Sequence, residues 1–83
     1  MQRILWFAEA RADMRAIDRE IALRLLKALD RFVKTGAGDI RQPSGFTPAL
    51  FRLRTGDWRI IYRHSANGAI EVIRVRNRRE AYR

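Results

Sequence analysis

Arginine recurs at alternate positions through the second half of the chain: Arg52 and Arg54 in the run 50–54, Arg59 and Arg63 in the run 58–64, and Arg74 and Arg76 in the run 69–76. A guanidinium is a planar donor fork that grips phosphate or carboxylate oxygens bidentately, and it stays charged at any working pH. The chemistry on offer is therefore anion binding, with proton transfer left to other groups. Whether the six arginines act together depends on the turns between the runs. Gly56-Asp57 and Asn67-Gly68 both suit two-residue hairpin loops that need positive φ. With such loops Thr55 pairs with Trp58 and Ala66 with Ala69, which sets Arg54 opposite Arg59, Arg52 opposite Ile61, Arg63 opposite Val72, Ile61 opposite Arg74 and Arg59 opposite Arg76. All six arginines then share one sheet face, with Ile61, Ile70 and Val72 among them. The opposite face carries Phe51, Leu53, Trp58, Ile60, Tyr62, Ile73 and Val75, an apolar set produced by the same register.

Like charges directly opposite one another destabilise a sheet, so this face calls for a polyanion or an acidic partner; the alternative is a solvated surface whose charges keep the sheet soluble. The overall balance agrees. The 83 residues carry a net charge of +9; residues 1–50 hold nine basic and six acidic side chains, residues 51–83 nine basic and three acidic, so six of the nine excess charges lie in the sheet-forming second stretch. Such an excess favours phosphate backbones, anionic membranes or acidic proteins without choosing among them. The absence of cysteine excludes disulfides and thiolate-bound zinc. No apolar run is long enough for a membrane span or a signal peptide, which makes a cytoplasmic protein the expectation.

The elements that must position the arginines are short. Residues 3–7 read as a first strand whose continuous apolar run does not show which side is buried. Helical spacing follows, at Ala10, Met14 and Ile17, then at Ile21, Leu25, Leu29, Phe32 and Val33 with Ala22 and Leu26 widening the stripe. Asp18 is placed to cap the second helix, and Gly36 and Gly38 stop it beyond Lys34. Residues 36–48, with two prolines, are a connection. The expected fold is a single α+β domain over residues 1–83: an N-terminal strand and a two-helix hairpin packed on a mostly antiparallel four-stranded sheet, the helices covering the apolar face. Trp6, Phe51 and Trp58 are assigned to the core. His64, expected opposite Glu71, is an ordinary surface residue. Arg24, Lys27, Arg31 and Lys34 form a solvated helix face, while Asp13 and Asp18 are accounted for by capping and helix charge.

Two segments carry a resemblance to a known family. Residues 51–62, Phe-Arg-Leu-Arg-Thr-Gly-Asp-Trp-Arg-Ile-Ile-Tyr, and residues 75–83, Val-Arg-Asn-Arg-Arg-Glu-Ala-Tyr-Arg, resemble the core and C-terminal signature of the RelE/ParE superfamily of toxins, with residues 10–18 and 35–40 where that family has its helix hairpin and following loop. The resemblance implies the toxin of a type II toxin–antitoxin pair, closer to the RelE side, with no metal and no organic cofactor. It implies an acidic cognate antitoxin that wraps the toxin in a hetero-oligomer. RelE-like members cut mRNA on the ribosome, and ParE-like members poison DNA gyrase. By the same resemblance Arg59 and Arg78 hold the scissile phosphate, Arg52 stands where RelE-like enzymes often have a catalytic lysine, and Tyr82 orients, stacks on or exchanges a proton with the substrate; from the shared sheet face, Arg54, Arg63, Arg74 and Arg76 are expected to bind nucleic acid. Cutting RNA through its own 2′-hydroxyl requires in-line orientation, a proton acceptor, neutralisation of charge on phosphorus and protonation of the leaving 5′-oxygen. Leu50 departs from the family at a second position that can be lysine, and arginine, with a pKa above roughly 12, is a poor base. A gyrase poison and a non-catalytic nucleic-acid-binding module remain the alternatives.

Overall fold

A computed structural model describes residues 3–81. Tyr82, assigned above to the site, lies outside the described residues. In chain order the elements are β1 (Ile4–Trp6), α1 (Ala8–Ala16), α2 (Arg19–Thr35), β2 (Asp39–Arg41), β3 (Phe51–Thr55), β4 (Trp58–His64), β5 (Ile70–Asn77) and the short α3 (Arg78–Ala81). The strands form one sheet in the order β1-β5-β4-β3-β2, with β1 parallel to β5 and every other pair antiparallel.

The α+β architecture agrees with the sequence expectation, but the sheet has five strands instead of four. The added strand is β2, inside the stretch expected to be a connection, where Asp39, Ile40 and Arg41 pair with Arg54, Leu53 and Arg52. Three residues are too few for alternation to stand out from a loop, and it is the open edge of β3 that gives them partners.

Helix α2 is delimited as its sequence dictates. The Asp18 carboxylate accepts the Glu20 amide at 3.2 Å, and Gly36, at φ +75°, donates its amide to Phe32 O at 2.8 Å. Its inward face brings Leu25 and Leu29 onto Leu53, Ile60, Tyr62, Ile70, Val72 and Val75, and α1 adds Ala10, to make one buried core. Leu26 lies outside it, 42% exposed.

The β4–β5 register differs from expectation near its turn. Ser65 pairs with Ala69 around a three-residue loop, with Gly68 at φ +84° donating to Ser65 O, so His64 faces Ile70, Arg63 faces Glu71 and Tyr62 faces Val72. A bulge at Ile73 then takes up the extra residue, and Ile61 pairs with Arg74, Ile60 with Val75 and Arg59 with Arg76 as expected. The expected Arg63–Val72 and His64–Glu71 pairs are therefore replaced. Ile70 and Val72 do not lie among the arginines but in the core, both fully buried. The correction has a plain cause. A one-residue offset at the turn reverses the two faces of β5, which places Ile70 and Val72 inside, and the bulge reverses them again, which returns Arg74 and Arg76 to the side of Arg59.

Candidate functional site: the arginine face

The six arginines do share one side of the sheet, because Arg52 and Arg54 in β3, Arg59 and Arg63 in β4, and Arg74 and Arg76 in β5 are in register through Ile61. Two rungs cross four strands. One runs Asp39, Arg54, Arg59, Arg76, and the other Arg41, Arg52, Ile61, Arg74. The helices pack on the opposite side.

Carboxylates partition this face. At one border the Asp13 side chain, from α1, receives Arg74 Nε at 2.8 Å and Arg74 Nη2 at 3.0 Å, and also accepts the Val75 amide at 2.8 Å. Burial pushes the Asp13 carboxyl upward, but the bonds from Arg74 and Val75 and the charges of Arg74 and Arg76 outweigh it and hold it below its ordinary range. At the far end Arg63 Nε meets Glu71 Oε1 at 2.8 Å, and its guanidinium lies 5.1 Å from the centre of the Phe7 ring. At the β2 edge Asp39 meets the exposed Arg41 at 3.2 Å and the half-buried Arg54 at 3.8 Å. Arg54 Nε is buried with no hydrogen-bond partner. Arg52 is half-buried and has no acidic partner among the described residues.

Arg59 departs most from expectation. It sits on the arginine side yet is only 2% exposed, the one charged residue of the interior among the described residues. Its guanidinium turns back along its own strand, where Nη1 donates to Trp58 O at 3.1 Å and to Gly56 O at 3.3 Å. Helix α3 then closes the end of the sheet: the Arg78 amide donates to Asp57 O at 2.6 Å and the Arg79 amide to Asn77 Oδ1 at 3.1 Å. A cleft of about 350 Å³ opens there between Asp57, Asn77, Arg78 and Arg79, with both arginines exposed.

Few groups beside the face can move a proton. Tyr62 packs in the core between Phe32 and Phe51, and burial raises its hydroxyl pKa to about 12. His64 lies on the helix side, edge-on to Phe51 and Tyr62. Among the described residues there is no cluster of three His, Asp or Glu side chains that could hold a metal ion.

The sequence expectation put Arg52, Arg54, Arg59, Arg63, Arg74 and Arg76 together on one face; the structure keeps all six on that side, with Arg63 at its far end beside Glu71. That expectation missed Arg41, Asp57 and Glu71, and gave Asp13 only a helix-charge role. Arg41 belongs to a strand of three residues, too short for its alternation to signal it. Asp13 lies 61 residues from Arg74, and no local pattern links them.

The family described as "ParE toxin of type II toxin-antitoxin system, parDE" matches residues 4–82, nearly the full chain. The chain belongs to this toxin family. The fold also recurs in solved structures. The toxin is similar to a chain of the archaeal RelE–RelB complex from Pyrococcus horikoshii OT3, at 19% identity and TM-score 0.74 over 93% of this chain and 94% of that one. It is similar to a chain of the RelB–RelE antitoxin–toxin complex from Methanococcus jannaschii, at 18% identity and TM-score 0.74 over 94% of each. A third likeness is to the RelBE2 toxin–antitoxin complex from Mycobacterium tuberculosis, at 22% identity and TM-score 0.69 over 93% of this chain and 98% of that one. At these identities the likeness is one of fold. No curated protein matches the chain.

Proposed function

We propose that this toxin is a ribosome-dependent mRNA endoribonuclease that acts through 2′-hydroxyl attack and is silenced by an acidic antitoxin. The observation that carries the reading is the pair of arginine rungs, a concentration of phosphate-binding groups on one side of the sheet, together with the exposed Arg78 and Arg79 of the cleft that follows β5. Arg52 and Arg78 supply charge neutralisation, Arg54, Arg74 and Arg76 hold the neighbouring backbone, and Tyr82 orients the substrate. Arg63 contributes only from the Glu71 end. Arg59, given its burial, acts by fixing the turn that borders the cleft, and reaches a phosphate only by giving up two carbonyl bonds. Work on the ribosome sets the toxin in the cytoplasm, and no helix among the described residues is long and apolar enough to cross a membrane.

The antitoxin is supported by the family and by the RelB–RelE complexes that share this fold. An acidic segment laid over the arginine face would occupy the RNA site directly, with long-range attraction speeding its capture.

A second reading, DNA gyrase poisoning, is favoured by the ParE description of the matching family and by the absence of lysine from the sheet. Induced expression with transcript 5′-end mapping, run beside a gyrase supercoiling assay, separates the two. New transcript ends within codons and unchanged supercoiling are expected. Intact transcripts with inhibited supercoiling overturn the nuclease in favour of gyrase.

A further inference from the structure

The β3–β4 turn is held more firmly than a two-residue hairpin requires. Gly56 takes the positive φ, +58°, and Asp57 keeps a negative one, so the turn itself is relaxed. Yet three successive carbonyls, those of Gly56, Asp57 and Trp58, each accept a hydrogen bond from Arg59 Nη1 or the Arg78 amide. Taking a guanidinium out of water without a carboxylate partner is costly. Arg59 has no such partner among the described residues, and its burial goes into fixing the two carbonyls that flank Asp57.

The residue the fixed turn presents is the exposed Asp57, which lines the same cleft as Arg78 and Arg79. Opposite charges sharing so small a space ordinarily close on one another. Here no nitrogen–oxygen distance of 4.0 Å or less joins Asp57 to either arginine. The cleft, about 350 Å³, is thus lined by an acidic residue and two arginines that are not paired with it. Among the described residues, the carboxylates that border the arginine side are occupied: Asp13 by Arg74 and Val75, Glu71 by Arg63, and Asp39 by Arg41 and Arg54.

Resting on the ribonuclease reading above, we infer that Asp57 is the proton acceptor of the reaction, with Arg78 and Arg79 on the scissile phosphate and Arg59 as the positioning residue for the turn. The Asp57 carboxylate takes the proton of the RNA 2′-hydroxyl as that oxygen bonds to phosphorus. The bond from phosphorus to the 5′-oxygen breaks, and the leaving oxygen takes a proton from water. The products are a 2′,3′-cyclic phosphate and a 5′-hydroxyl end, and Asp57 returns its proton to solvent. This supplies the base that arginine cannot be, without a sheet lysine.

The test uses purified full-length toxin and ribosomes programmed with a labelled mRNA, comparing the parent with Asp57→Asn and Asp57→Glu. The amide keeps the size and turn preference of the carboxylate but cannot take the proton. Asp57→Asn should cut roughly 10² to 10⁴-fold more slowly, the range for loss of a general base. It should also lose the acid-side fall in the pH–rate profile, while binding an uncleavable 2′-deoxy mRNA as tightly as the parent or tighter, because a negative charge has left the phosphate site. Asp57→Glu should recover part of the rate and the acid limb. A merely structural Asp57 would weaken binding and cleavage together and leave the pH profile in place, and that result overturns the inference. Parental cleavage by Asp57→Asn overturns it too and leaves the nuclease standing, whereas a parent protein that does not cut removes both.

Discussion

Replacing Asp13 by alanine probes the link on which the geometry of the arginine face depends. The carboxylate is 16% exposed and takes three hydrogen bonds, two from Arg74, itself 33% exposed, and one from the Val75 amide. Alanine removes all three and strips a buried-strand amide of its acceptor. A hydrogen bond to a charged group contributes about 1.5–3 kcal/mol and a fully buried pair broken on one side costs about 3–5, so a partly exposed pair plus one amide gives a loss of about 2–4 kcal/mol. A domain of this size has a core worth only roughly 3–5 kcal/mol, so the variant stands close to unfolding. At roughly 4–8 °C per kcal/mol the melting temperature should fall by about 8–32 °C. The sign with pH follows from the depressed carboxyl: its contribution is fully present above the ordinary 3.8 and is lost as pH falls through the lower folded value. The gap between parent and variant should therefore be widest near neutrality and close below about pH 4. Urea unfolding at several pH values, in a double-mutant cycle with Arg74→Met, measures it. A loss under about 0.5 kcal/mol at pH 7, the scale of an ordinary surface change, would refute the reasoning, as would a gap that does not narrow in acid.

Three further outcomes are expected. Arg78→Ala should leave stability within about 0.5 kcal/mol, as for other exposed positions, while cleavage falls roughly 10² to 10³-fold; Arg59→Ala should instead destabilise by about 2–3 kcal/mol through lost packing and a loosened turn, so urea unfolding distinguishes the two arginines. Antitoxin affinity, titrated by calorimetry, should decrease as salt rises and drop further when Arg52 and Arg54 are both changed to glutamate; equal affinity at low and high salt counts against the arginine face as the antitoxin surface. Gly38→Ala should lower stability by about 1–3 kcal/mol, because a Cβ there comes within 2.7 Å of Leu53 Cδ1 in the core, and a thermal melt matching the parent would show that Leu53 can give way.

Much of this toxin is determined by its sequence alone. The helix ends follow from Asp18 and Gly36, whose side chain and backbone freedom act within a few residues. The two faces of β3 and β4 follow from strict alternation on either side of a glycine turn, and the pairing of Arg54 with Arg59 is the one the count from that turn requires. What only the tertiary structure decided concerns residues whose partners are distant or whose local signal is ambiguous. Asn67-Gly68 allows a two- or a three-residue loop, and the choice went to the one that buries Ile70 and Val72 in the core, with the Ile73 bulge restoring the arginine register beyond. Strands β1 and β2 are three residues each, and they are strands because β5 and β3 offer them open edges. Asp13 meets Arg74 because α1 packs along β5. Arg59 is spaced like its exposed neighbours, and it is buried because a long side chain on a strand can fold back onto the carbonyls of its own turn, a contact that no alternation rule encodes.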